Sequence, residues 1–421
     1  MHARSLTLIV PVLLLSLLVG CAPAAPAPAV EPTQPIEQPP AAEPDPTTAP
    51  QPEAPEANLT AGCVDTYAEG VDYFPEKTAL EYASGFTVEY FGNYKVVTVT
   101  RPWSGSAQTF QYVLVQCGTP APDDFEDALT VEVPASSFVS MSTTYLPMLE
   151  DLGRLDALVA VDNGIYVYNP AVRERLAAGE IAEVGRDADV NVEAVLDLDP
   201  SLIMASSLGF DTDAHPVLLA AGLPVVVNGD YVEPTALGRA EWVKFIALFY
   251  NEEARAAEVF GEIAGQYNEA AALAAGVEQR PTVFANTPFD DVWYMPGGDS
   301  YTAHMFADAG ADYLWADDTS APTLFLDFET VFDTAKDAEI WLNPFAYDLE
   351  GLATTDERFR EFAAFQSGQV YAYNARETEL GGNDFFESGA ARPHIVLMDL
   401  IKIFHPDLLP DHELFYYRQL Q

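Results

Sequence analysis

Asn251-Glu252-Glu253-Ala254-Arg255-Ala256-Ala257-Glu258-Val259-Phe260-Gly261-Glu262-Ile263-Ala264-Gly265-Gln266-Tyr267-Asn268-Glu269-Ala270-Ala271-Ala272-Leu273-Ala274-Ala275 is the stretch on which the fold turns. Asn251 offers an N-cap, and Glu252 and Glu253 place acid in the first turn, where the helix dipole favours it. Ala254, Ala257, Phe260, Ile263, Ala264 and Tyr267 then recur on one side at helical spacing, interrupted only by Gly261 and Gly265. At 1.5 Å per residue this helix extends roughly 36 Å, the width of a domain. The segment before it, Pro234 to Tyr250, also reads as helical.

On both sides of this helix, short apolar strands alternate with helical stretches. Towards the N-terminus, Phe138 to Met141, Ala157 to Val161, Leu202 to Ala205 and Pro224 to Val227 read as strands, separated by helices over Tyr145 to Leu152, Val192 to Leu198 and His215 to Ala221. Towards the C-terminus the strands are Pro281 to Ala285, Val292 to Met295, Glu339 to Leu342 and Gln369 to Tyr373. The helices there are Tyr301 to Ala309, Glu329 to Thr334, Arg358 to Phe365 and His394 to Phe404. Strand, helix, strand at this spacing predicts parallel sheets covered by helices. The expected fold is α/β: two parallel-sheet lobes, 123–250 and 279–421, joined by one long linking helix over 251–278.

Residues 58–122 differ in rhythm. Phe86 to Tyr90, Lys95 to Thr100 and Gln111 to Val115 are β-branched and aromatic between Gly and Asn turns, so a β-rich lead-in packed on the N-terminal lobe is expected. Before it, residues 21–57 are rich in Pro, Ala, Glu, Gln and Thr and contain no Lys or Arg. Such a stretch cannot build a core. As polyproline II, at about 3.1 Å per residue, it forms a stalk reaching up to roughly 100 Å.

Residues 1–20 begin with His2 and Arg4, continue as an apolar run from Leu6, and end Leu18-Val19-Gly20 before Cys21. The apolar run is about 15 residues, short for a membrane span and suited to a signal-peptide core. The ending resembles a bacterial lipobox. It implies cleavage before Cys21, lipidation of that cysteine, and an extracytoplasmic location anchored to a bacterial membrane by acyl chains alone.

Lys plus Arg number 19 against 65 Asp plus Glu, a formal charge of -46. That leaves no basic stripe for nucleic acid and argues against docking on anionic lipid. The acidity fits solubility or salty surroundings, and also fits an acidic face for a basic partner. Cys63 and Cys117 remain once Cys21 is lipidated. An oxidising compartment allows a bridge between them; two separate free thiols are the alternative. The six histidines are scattered, with no spacing for a resident metal.

Several stretches together resemble the solute-binding lipoproteins of ABC importers for iron complexes, haem and cobalamin. They are Val184-Gly185-Arg186 with Asn191 to Leu196 and Leu198-Asp199-Pro200-Ser201-Leu202-Ile203, then Leu326 to Val331 with Ala338 to Leu342, which repeats the plan. Gly238-Arg239-Ala240-Glu241-Trp242 and Tyr301 through Gly310 to Tyr313 add to it. The resemblance implies a monomeric receptor that binds a metal complex between two lobes and delivers it to a permease and its ATPase, with no permanently bound cofactor. It also implies that Glu193 and Glu329, one on each lobe, dock on permease arginines.

Open α/β sheets place ligands at the carboxyl ends of their strands. The expected cleft residues are therefore Ser142, Thr143, Thr144, Tyr145, Asn163, Tyr166, Tyr168, Ser206, Ser207, Phe210, Asn228 and Tyr231 from the first lobe. From the second they are Phe289, Trp293, Tyr294, Gly297, Gly298, Asn343 and Arg376. Aromatics and amides suit a large planar or ring-shaped iron or cobalt complex. With few cations beyond Arg186, Arg376 and Arg392, neutral or cationic cargo such as cobalamin or a hydroxamate complex fits better than an anionic catecholate. Haem ligation by a tyrosine or His304 is a further option. Rival readings are an anchored hydrolase using carboxylate pairs such as Asp290-Asp291 or Asp317-Asp318, and a surface lipoprotein without a transport role. No nucleophile elbow, phosphate loop or zinc-protease motif occurs.

Overall fold

A computed structural model describes residues 54–126, 128–210 and 212–421. Cys21 and nearly all of the Pro-rich stretch lie outside the described residues. The lead-in forms a sheet of β1 (Phe86–Phe91), β2 (Tyr94–Val99), β3 (Phe110–Gln116) and β4 (Leu129–Val133), in that order, with β4 parallel to β3. This sheet therefore extends past residue 122. Val131 and Val133 turn inward while Thr130 and Glu132 face out, the alternation of a half-buried strand. Cys63 and Cys117 are joined in a disulfide, their Cα atoms 4.8 Å apart.

The first lobe holds β5 (Phe138–Ser140), β6 (Leu158–Val161), β7 (Ala182–Glu183), β8 (Leu202–Ala205) and β9 (Val225–Val227) in the order β7-β6-β5-β8-β9, all parallel. All four residues of β8 and all three of β9 are buried, as expected of parallel strands covered on both faces.

The second lobe runs through β10 (Thr282–Ala285), β11 (Pro288–Phe289), β12 (Val292–Pro296), β13 (Asp312–Tyr313), β14 (Thr323–Leu326), β15 (Ile340–Leu342), β16 (Val370–Ala372) and β17 (Arg418–Gln419). Its main sheet is ordered β13-β10-β15-β16-β17, parallel except for β17. Val292 to Met295 belongs instead to a separate antiparallel sheet, β11-β12-β14. The cause is the two-residue turn Asp290-Asp291, whose φ values of 49° and 63° are the left-handed pair that a tight hairpin requires.

The linking helix spans Glu253–Ala274, is unbroken, and buries Ala256, Val259, Phe260, Ile263, Tyr267 and Ala270. Asn251 is not its cap. It adopts φ 59° and is fully buried, and its Nδ2 donates to Gln116 Oε1 (2.9 Å) and the Leu59 carbonyl (2.7 Å). Pro234 to Tyr250 divides into two short helices, Ala236–Ala240 and Val243–Leu248. Arg358 to Phe365 is likewise divided, into a 3-10 turn, Glu357–Glu361, and a helix, Ala363–Gln366.

Candidate ligand cleft

In each lobe the chain leaves its first strand towards one side of the sheet and later returns on the other. The switch point lies between β5 and β8 in the first lobe and between β10 and β15 in the second. The residues leaving these four strands meet across a cavity of about 550 Å3: Ser142 to Thr144 after β5, Ser206 after β8, Asn286 after β10 and Asn343 after β15. Local geometry holds each in place. Ser142 caps the turn Thr143–Tyr145, its Oγ accepting from the Thr144 amide. Asn286 and Asn343 sit at φ 67° and 59°, the left-handed region that asparagine tolerates, which turns the backbone at the strand end. Asn286 Nδ2 donates to the Tyr294 carbonyl at 2.7 Å.

The cavity wall carries both charges. Arg239 Nη2 donates to Asp230 Oδ2 at 3.1 Å and its guanidinium lies 5.1 Å from the Tyr301 ring centre. Arg186 Nε donates to Asp187 at 3.2 Å and lies 5.3 Å over Tyr166. Asp162 is 6% exposed; burial pushes its carboxyl up, opposed by the Asn163 amide and by Arg186. Each guanidinium thus has its own carboxylate, so the wall offers no surplus of positive charge.

Of the expected residues, Ser142, Thr143, Thr144, Tyr166, Ser206 and Asn343 line the cavity. Tyr231 lines an adjoining recess of about 200 Å3 and donates its hydroxyl to the Ser207 carbonyl at 2.7 Å. Tyr145, Ser207 and Asn228 are buried behind the wall. Asn163 spends its side chain capping the turn Gly164–Tyr166, and Phe210 is 61% exposed.

Six of the expected second-lobe residues lie off the cavity wall. Trp293 is fully buried and its indole donates to the Ala285 carbonyl at 2.8 Å. Phe289 and Tyr294 belong to the small antiparallel sheet, which places them outside the cavity lining. Gly297 and Gly298 pack so closely that a Cβ would lie 1.8 Å from the Ala321 carbonyl oxygen and 2.1 Å from that of Ala316. Arg376 is likewise withdrawn: Nε donates to Asp384 at 2.6 Å, and the guanidinium stacks 4.1 Å from Phe415 and 5.1 Å from Tyr168.

Their places are taken by Tyr301, Thr302, Met305 and Phe306 of the helix Tyr301–Asp308, and by Tyr373, Phe385, Phe386 and Tyr417. Strand-end reasoning could have found Asp162, which directly follows β6, and Tyr373, which directly follows β16. Nothing local marks Phe385 or Phe386, which the short helix Asp384–Ser388 brings in.

One side of the cleft is closed by contacts between lobes. Arg392 reaches Asp151 (3.2 Å) and Glu150 (3.3 Å), and the Glu387 carboxylate accepts from the Tyr168 and Asn169 amides. His304 is occupied as well, with Nδ1 2.8 Å from the Pro234 carbonyl oxygen.

Glu193 and Glu329 are both exposed and both stand second in helices with side-chain caps. Asn191 Oδ1 accepts from Ala194 N in the helix Val192–Leu198, and Asp327 Oδ1 accepts from Thr330 N in the helix Phe328–Ala335. Each helix leads into the strand across its lobe's switch point, β8 or β15, so the two glutamates occupy matching places. Glu329 lies 3.7 Å from Arg358.

Two lobes of parallel sheet facing each other across a cleft, with one helix between them, are the build of a binding protein. Residues 139–377 match the family described as periplasmic binding protein, and the chain belongs to that family. Its members are substrate-binding proteins of transporters, not enzymes. An uncharacterized lipoprotein of Methanocaldococcus jannaschii is 24% identical over 357 residues, which cover 78% of this chain and 82% of the relative. A solved periplasmic binding protein from Veillonella parvula covers 76% of this chain and 95% of its own length, at 16% identity and a TM-score of 0.50. A possible iron-binding (periplasmic solute-binding) protein from Staphylococcus epidermidis covers 64% and 98%, also at 16% identity and 0.50. At these identities the solved structures share the fold.

Proposed function

We propose that the protein is a lipid-anchored, extracytoplasmic receptor that holds an iron or cobalt complex between its lobes and delivers it to an ABC importer permease. The observation that carries this reading is the cavity at two facing switch points, bridged by a single unbroken helix. That helix favours small-angle closure over wide hinging. Large exposed aromatics surround the mouth: Tyr166, Phe345, Tyr347 and Phe386 are 43%, 83%, 62% and 55% exposed and line an adjoining recess. An apolar rim of this kind suits a bulky ligand that reaches beyond the cavity.

The paired charges of the wall favour neutral or cationic cargo, a hydroxamate chelate or a corrinoid, over a polyanionic catecholate. Glu193 and Glu329 are the docking carboxylates, set apart at a fixed distance by the linking helix. The anchor follows from the lipobox at Cys21 and accords with a relative named as a lipoprotein.

Native mass spectrometry and the visible absorption spectrum of protein purified from its own host test the reading. The expected result is one iron chelate, haem or corrin per chain. Protein that carries none, and binds none when each is supplied, would refute it.

A further inference from the structure

The recess that Phe345 and Tyr347 line has a volume of about 390 Å3, room for part of a small molecule, and it is continuous with the main cavity through Tyr166, Tyr373, Asn383 and Phe386, which line both. Tyr166 comes from the first lobe and the rest of the wall from the second, so whatever fills the recess lies between the lobes, where the cargo lies. The loop 344–347 is pinned from behind. Asn374 Nδ2 donates to the Ala346 carbonyl (3.0 Å), Arg418 Nη2 to the Tyr347 carbonyl (2.7 Å), and Arg418 Nε to Asn374 Oδ1 (2.8 Å). Asn383 is likewise engaged, its Oδ1 accepting from the Phe385 amide at 2.9 Å. The polar groups around the recess are thus spent on one another, while Phe345 and Tyr347 are held with their rings in solvent, 83% and 62% exposed. Large apolar surface fixed in the open beside a cleft marks a place that a ligand covers. Among the described residues lining the recess only Glu377 is charged, and a carboxylate there repels an anionic group.

We infer that the cargo carries an uncharged apolar arm, alkyl or aryl, which lies in this recess against Phe345 and Tyr347 while the metal-bearing part fills the cavity. Covering the rings takes apolar area of both partners out of water, so the gain in affinity grows with the length of the arm. The inference rests on the reading of the cavity as a metal-complex site and narrows it to amphiphilic complexes.

Three neutral probes test it: a ferric tris-hydroxamate chelate acetylated on its amine arm, the same chelate octanoylated there, and 1-N-phenylnaphthylamine, which fluoresces in apolar surroundings. In isothermal titration the octanoyl chelate should bind about tenfold or more tightly than the acetyl chelate, and Phe345→Ser/Tyr347→Ser should abolish the difference. Both positions are exposed, so the substitutions leave the core intact. The octanoyl chelate should also displace phenylnaphthylamine, and the acetyl chelate should not. Equal affinity for the two chelates, or an advantage that survives the double substitution, overturns the inference and leaves the metal-complex reading standing. If neither chelate binds and phenylnaphthylamine occupies one site per chain that the double variant loses, the apolar subsite is upheld and the hydroxamate reading fails. A wild-type dimer that the double substitution dissociates assigns the rings to a second copy and overturns the inference, as does binding of none of the three probes.

Discussion

Glu387 of the C-terminal lobe accepts a hydrogen bond from the backbone amide of Tyr168 in the N-terminal lobe at 2.7 Å, and a second from Asn169 at 2.8 Å. The side chain is 2% exposed, and burial pushes its carboxyl up to about 7 against the pull of those amides. Because the folded value lies above the ordinary 4.5, the folded protein holds this proton more tightly than the unfolded chain does. The stability it contributes is complete below about pH 4.5 and is lost as the pH rises through about 7. The loss amounts to roughly 3 kcal/mol. Melting temperatures measured from pH 4 to 8 should therefore fall more steeply for the wild type than for Glu387→Gln, which has no proton to lose. Parallel profiles would show that this carboxylate does not titrate as the contact requires.

Lys95 in β2 ties the lead-in sheet to the start of the linking helix. Its Nζ donates to Glu253 Oε1 (2.6 Å), Asn251 Oδ1 (2.8 Å) and the Leu248 carbonyl (2.6 Å), and both side chains of the ion pair are fully buried. Lys95→Met removes the cation and leaves Glu253 with only Asn58 and Tyr90 as donors. We expect a loss of about 3–5 kcal/mol in urea unfolding, partly recovered in Lys95→Met/Glu253→Gln, because an unpaired buried charge costs more than no charge. A loss below about 1 kcal/mol would mean that water reaches Glu253.

How far the molecule was legible in its sequence follows from the range of the forces involved. Leu202 to Ala205 and Val225 to Val227 are buried on both faces, so their apolar runs announce strands directly. The two-residue strands β7, β11 and β13 are too short to carry any period. Asp290-Asp291 makes a hairpin without the Asn-Gly or Asp-Gly signature, which hid the small antiparallel sheet and made Phe289, Trp293 and Tyr294 look like strand-end cleft residues. Ser142, Ser206 and Asn343 were legible because a switch point is a property of strand order. The placing of Tyr301 and Phe385 depends on how whole helices pack, which no local pattern encodes.

Trp103, in the loop between β2 and β3, supports the rim of the cleft from outside. A Cβ on Gly209 would lie 2.5 Å from Trp103 Nε1, and Gly209 has φ 80°. The Ser207 hydroxyl and the amides of Leu208, Gly209 and Phe210 all donate to Asp213, directly after the cavity residue Ser206. Trp103→Ala removes the surface on which this turn rests. Ligand affinity should fall several-fold, roughly 1 kcal/mol, with faster proteolysis around residue 209. Unchanged affinity and cleavage would show that the turn holds itself.

Glu193 and Glu329 stand at equivalent places in the two lobes, exposed and far from any role in the core. Charges on a rim speed encounter and set orientation more than they add affinity. Replacing both with alanine should leave cargo binding within about twofold while transport falls about tenfold or more, with the salt dependence of docking reduced. Arg358 makes the two sites unequal: at 3.7 Å from Glu329, with side chains 47% and 77% exposed, it is a weak partner that, on the proposed docking, a permease arginine would have to displace. Arg358→Ala should therefore quicken docking through the C-terminal lobe without touching cargo affinity. Stopped-flow association with permease in nanodiscs, alongside cargo titration, separates these effects. Loss of cargo binding in the double variant, or unimpaired transport, would reject the division of labour between cleft and rim.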